Sequence, residues 1–221
     1  MSAENSPHGR NEESSSEAIA AYEAVAMFGT VMMDAFGGET SRNDKVAAAK
    51  LIRDVGQLLT VTEVKAANRY WHVWQSNTHN RTYPLAYKQP VVGMLYETMA
   101  SFQTWFSYEP VVSYGIQLLP FTPVAESRDD PEWAAELYPK YDESCKTAGD
   151  FCVDNGWTII QCGLLATTGN RKKALEQALL IPSEVFTSDG GVGNSLSNTI
   201  WYISTRKPVD INGDALDESS T

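Results

Sequence analysis

SSSEAIAAYEAVAMFGTVMMDAF, residues 14–36, places Ile19, Tyr22, Ala26, Gly29 and Met33 on one stripe at the 3.6-residue period of a helix. Gly37-Gly38 supplies a stop. The same period recurs downstream. A second long helix is expected over 43–70, with Ile52, Val55, Leu59, Thr62 and Ala66 on one face and the polar run QSNTHNRTYP after it. Leu95, Met99, Phe102 and Phe106, spaced four, three and four, predict a third. YGIQLLPFTPVAESRDDP carries Pro120, Pro123 and Pro131 and reads as an ordered loop. Shorter helices are expected over 131–138, 140–153, 156–168, 171–179 and 195–205. Alternating β-branched runs are nearly absent, so the fold class is all-α. Helix pairs joined by long ordered loops suggest part of a toroid of helical hairpins rather than a short-looped bundle. No fixed-period repeat is visible.

The chain has 221 residues, 43% hydrophobic and 20% charged, enough to bury a core in one domain. Its formal net charge of -11 would repel a phosphate backbone, so no nucleic-acid partner is expected. No run approaches the roughly 18 apolar residues of a membrane span, so no membrane partner is expected, and the polar, acidic start MSAENSPHGRNEESSSE does not read as a secretory signal. Residues 1–12 are expected to be a flexible lead, 13–206 the folded region and 207–221 a disordered acidic tail. The three cysteines are too scattered for a disulfide scaffold. Cys145 and Cys152 either pair, if Gly149 breaks the helix between them, or remain free thiols.

Two features could carry chemistry. Glu13 and Glu17 lie four apart, which on a helix puts both carboxyls on one face about 6 Å apart. Such a pair can hold a water and deprotonate it. Ser14-x-x-Glu17 is equally a capping box, with Glu12 and Glu13 as acidic residues favoured at a helix start. The second feature is aromatic: six Trp, ten Tyr and seven Phe, several beside amides, as in Tyr70-Trp71-His72-Val73-Trp74 and Asn198-Thr199-Ile200-Trp201-Tyr202. Sugar rings present an apolar C–H face and a hydroxyl rim, which suits flat aromatics flanked by amides. Trp105 and Trp201, on apolar stripes, read as core. His72 and His79 have no metal-ligand partner at helical spacing, and the loop SDGGVGNS (188–195) lacks the lysine of a phosphate cradle.

Taken in order, Asn11-Glu12-Glu13-Ser14-Ser15-Ser16-Glu17-Ala18, Thr62-Glu63-Val64-Lys65-Ala66-Ala67 with Tyr70-Trp71, Val92-Gly93-Met94, Phe102-Gln103-Thr104-Trp105-Phe106, Tyr114-Gly115-Ile116-Gln117-Leu118-Leu119-Pro120, and Asn194-Ser195 with Asn198-Thr199-Ile200-Trp201-Tyr202-Ile203 resemble glycoside hydrolase family 81, the endo-β-1,3-glucanases. The resemblance covers residues 8 to 206. It implies a partial (α/α)6 toroid that hydrolyses internal bonds of β-1,3-glucan with inversion, without metal or organic cofactor. The essential glutamates map onto Glu13 and Glu17, one as base for the attacking water and the other holding that water or the sugar. Trp71, His72, Tyr114, Gln117 and Asn198 are the implied sugar-binding residues. An extracellular or cell-wall location is implied as well. Glu12 departs from the family, which has Gln there. The family's general acid, an upstream aspartate, and its β-sandwich have no counterpart in this chain. Little or no hydrolysis by the chain alone is therefore expected, the alternative being a non-catalytic β-glucan-binding protein or an inactive fragment.

Overall fold

The computed structural model describes residues 7–37, 43–76, 81–187 and 192–207. The expectations for Gly38, His79, residues 188–191 of the glycine-rich loop and the tail from 208 fall outside them.

The structure is mostly helical, as the sequence requires. Helix α1 (Ser15–Phe36) and α2 (Asn43–Ala66) form a long antiparallel pair, α2 running on into a π-helical turn at Ala67–Trp71. Behind them lie α3 (Pro110–Gly115), α4 (Ala125–Arg128), α5 (Pro131–Ala148), α6 (Asp150–Asp154), α7 (Trp157–Thr167), α8 (Arg171–Ala178) and α9 (Leu196–Thr205). The main core gathers around Trp133, Leu137, Tyr141, Ile159 and Ile160, each with no exposed surface.

The α1–α2 pair packs through small residues. A Cβ added at Gly29 would run into the Arg53 backbone, and one at Gly56 into the Ala26 backbone, so the two helices touch along their main chains. This turns Ala49, Gly56 and Thr60 inward. It leaves the stripe expected to be buried facing out: Ile52, Val55 and Leu59 are each more than a third exposed, with Leu51 and Leu58 more so. By length and composition, α1 also meets the measure of a membrane-spanning helix, which the sequence reading did not anticipate.

Three local expectations are corrected. Residues 94–101 are not a helix but a hairpin of β2 (Met94–Tyr96) and β3 (Ala100–Ser101), extended by β1 (Asn11–Glu12) into an antiparallel sheet of order β1-β2-β3. Asn11 and Glu12, assigned by sequence to the flexible lead, therefore pair with Tyr96 and Leu95. Finally, residues 131–148 are one helix despite Pro139. Pro139 is exposed, so water can reach the carbonyl it leaves unpaired, while buried Trp133, Ala134, Leu137 and Tyr141 hold both sides of it in register. Gly149, at φ +58°, ends this helix, and the turn brings Cys145 and Cys152 to a Cα separation of 5.3 Å in a disulfide.

Candidate active site

Ser14 caps α1 through a long hydrogen bond from the Glu17 N–H at 3.4 Å. Its neighbours do more than cap. Ser16 Oγ donates to the Ile116 carbonyl at 2.8 Å and Ser14 Oγ to the same oxygen at 3.2 Å. Ser15 Oγ donates to Gln117 Oε1 at 2.9 Å, and Gln117 Nε2 donates to the Glu13 carbonyl at 2.6 Å. Ser15, Ser16 and Gln117 have no exposed surface. The serine run is thus a dock, holding the start of α1 against the turn that follows α3, about a hundred residues away.

On that dock Glu13 is half-buried and Glu17 exposed. Burial pushes the Glu13 carboxyl above the usual range, hydrogen bonding from the Trp105 side chain pulls it back, and the nearby Glu17 charge raises it again. Glu13 Oε2 is buried with no hydrogen-bond partner among the described residues. A carboxylate short of donors in a partly dry setting is a stronger base than one in water, the condition for taking a proton from a water near neutral pH.

Trp105 corrects the sequence reading. It is 62% exposed, in an edge-to-face pair with Phe106, and Tyr108 beside them is 83% exposed. Trp105, which apolar spacing had assigned to the core, is thus an open aromatic ring beside Glu13. Trp201, also assigned there, is 38% exposed.

The five implied sugar-binding residues lie mostly inside the protein. Gln117 serves the serine dock. Tyr114 is buried and donates its O–H to Gln89 at 2.8 Å. His72 is stacked flat on Trp133 at 3.5 Å and bonded to Asn68, its ring kept neutral first by burial and then by the Arg128 charge. Trp71 is buried against Val73 and Val92. Asn198 brackets Phe121, donating from Nδ2 to its carbonyl and to Asn194 Oδ1, while Asn194 accepts the Phe121 N–H. The bonds of Gln117, Tyr114 and Asn198 tie together the segments on which they lie, while Trp71 Nε1 and His72 Nε2 are buried with no hydrogen-bond partner among the described residues.

A further carboxyl escaped the sequence reading. Glu63 of α2 meets Glu12, the residue before Glu13, in a carboxyl–carboxyl contact. Nothing local could have revealed it, since the two are far apart in the chain.

The model of the glycosyl hydrolase family 81 C-terminal domain matches residues 3–203. The chain belongs to that family. It is 29% identical over 203 residues to a glucan endo-1,3-beta-D-glucosidase of Glycine max, covering 90% of this chain and 26% of the relative. It is 30% identical over 131 residues to an enzyme of the same name from Thermobifida fusca, covering 59% of this chain and 15% of that one. Among solved structures it resembles a mutant of a family 81 glycoside hydrolase from Clostridium thermocellum, with a TM-score of 0.65 at 23% identity over 89% of this chain and 23% of the other. The chain spans about a quarter of the Glycine max relative and of this structural neighbour, so the likeness to the latter establishes the fold.

Proposed function

We propose that this chain contributes the water-activating side of a site that hydrolyses internal β-1,3-glucosidic bonds by inversion, within part of an (α/α)6 toroid. The observation that carries the proposal is Glu13: a half-buried carboxyl with one unpartnered oxygen, beside Glu17 and bonded by exposed Trp105, whose ring pairs with that of Phe106. In this reading the rings stack on the sugar's C–H face. Glu13 takes the proton from water as it attacks the anomeric carbon, and exposed Glu17 orients that water. Inversion requires an acid about 6.5–9.5 Å from the base, across the scissile bond. The acid would come from the part of the relatives that this chain does not span. The Cys145–Cys152 disulfide supports an oxidising, extracellular or cell-wall setting.

Calorimetry and reducing-sugar assays with laminari-oligosaccharides test this on the purified chain. Binding that weakens at least tenfold on Trp105→Ala, with cleavage slow or absent, is expected. Any cleavage should fall by a factor of about 10² or more in Glu13→Gln. Tight binding indifferent to Glu13→Gln, Glu17→Gln and Trp105→Ala would refute the placement of the site. Binding lost with Trp105→Ala but untouched by both glutamate changes would instead favour a non-catalytic glucan-binding module, a reading that the chain's quarter-length span keeps open.

A further inference from the structure

We propose that Glu63 is a positioning residue for Glu13: its carboxyl meets that of Glu12, the two share one proton, and this clasp ties β1 to α2 and fixes the backbone from which Glu13 projects. Its bearing on hydrolysis rests on the reading of Glu13 as the base; the clasp itself does not.

Glu63 continues the inward stripe of α2, following Gly56 and Thr60 at spacings of four and three, so the helix aims it at the start of α1 rather than at solvent. Glu12 sits in β1, where successive side chains point to opposite faces. Its carboxyl meets Glu63, whereas that of Glu13, the next residue, meets Trp105 and Glu17. Glu63 Oε1 is buried, and no donor among the described residues reaches it. Two ionised carboxylates in contact would repel and leave this oxygen unsatisfied. One proton between them removes the repulsion.

The charge bearing on Glu63 is that of Glu12, facing it from β1, and among the described residues no cation bears on either carboxyl. Burial, then the Glu12 charge, then the contact itself push Glu63 up to about 7. Glu12 is raised by burial and lowered by the contact. The shared proton belongs to the pair and leaves near neutrality. Below that pH the clasp is closed; above it both carboxyls are charged and β1 is pushed from α2. Because Glu63 binds its proton more tightly folded than unfolded, its contribution to stability is complete below about 4.5 and is lost as pH rises through about 7.

NMR titration of the full chain between pH 4.5 and 8.5 tests this through the Glu63 side-chain carboxyl carbon and the Trp105 indole N–H, which reports on Glu13. In the wild type both resonances should move together with a midpoint near 7. In Glu12→Gln the introduced amide can donate to the Glu63 carboxylate at every pH. The near-neutral step should then vanish from both, leaving the indole at its low-pH position, and the fall in the urea midpoint between pH 4.5 and 7 should flatten. Glu12→Ala should hold the indole at its high-pH position throughout. Titration of Glu13 itself survives Glu12→Gln and is told apart on that basis. The proposal is overturned if Glu63 titrates in the ordinary glutamate range, if the indole ignores the Glu63 step, or if Glu12→Gln leaves that step in place. Failure of the chain to bind or cleave glucan would sink the proposed function and leave these resonances as they are.

Discussion

Gln117→Leu is the sharpest test of the serine dock. The side chain has no exposed surface, and it donates to the Glu13 carbonyl and accepts from Ser15 Oγ. Leucine fills nearly the same volume and makes neither bond. Each orphaned buried group costs about 1–3 kcal/mol, so the pair costs about 4 kcal/mol. The added apolar surface returns about 1 kcal/mol, for a net loss of about 3 kcal/mol. A domain of this size typically has a urea slope of about 2 kcal/mol per molar, which places the shift in unfolding midpoint near 1.5 M. Ser15→Ala should cost about 1–2 kcal/mol in the wild type and almost nothing in Gln117→Leu, because its partner is already gone. Equilibrium urea unfolding of the four proteins measures both quantities. A midpoint within about 0.3 M of wild type for Gln117→Leu, or an equal cost of Ser15→Ala in both backgrounds, would refute the dock.

Two other features give measurable outcomes. Arg128 and Asp129 form an almost fully buried pair at 2.7 Å, with Tyr202 donating to Asp129; Arg128→Met should destabilise the fold by about 3–5 kcal/mol in urea unfolding, and adding Asp129→Asn should recover part of that. Replacing Cys145 and Cys152 by alanine opens a link spanning seven positions and should lower stability by about 2 kcal/mol, read as a drop in unfolding midpoint that reducing agent reproduces in the wild type.

The long helices were legible because their periods are long. α1, α2 and α7 to α9 start and stop within a few residues of where apolar spacing and caps put them, Ser14 and Ser195 accepting the N–H three residues on. The β2–β3 hairpin was not, because Leu95, Met99, Phe102 and Phe106 happen to mimic a helical stripe. What decides that segment is pairing with Asn11 and Glu12, invisible to any local window. The outward apolar face of α2 misled for a related reason: close backbone packing favours Gly56 and Thr60 inside, so bulk and burial part company.

At the site, the Glu13–Glu17 spacing was readable and so was the cap. Trp105 was not, since an aromatic three residues from another apolar side chain looks the same whether it faces a core or open water. Gln117, Tyr114 and Asn198 were placed by family likeness as sugar contacts; Gln117 and Tyr114 are buried, and all three bond to other segments of the chain. Glu63 had no signal of its own, because its significance comes wholly from Glu12 across the fold.

Ser14, Ser15 and Ser16 grip Ile116 and Gln117 across an interval of about a hundred residues. The acidic motif is therefore not portable: a peptide bearing residues 11–36 would keep every letter of the signature while Glu13 wandered. Closing so long an interval is a late event in folding, because distant contacts return nothing until the intervening chain has condensed. Anyone scanning other genomes for this motif should look for the Tyr-Gly-Ile-Gln segment downstream before crediting the glutamates with any chemistry.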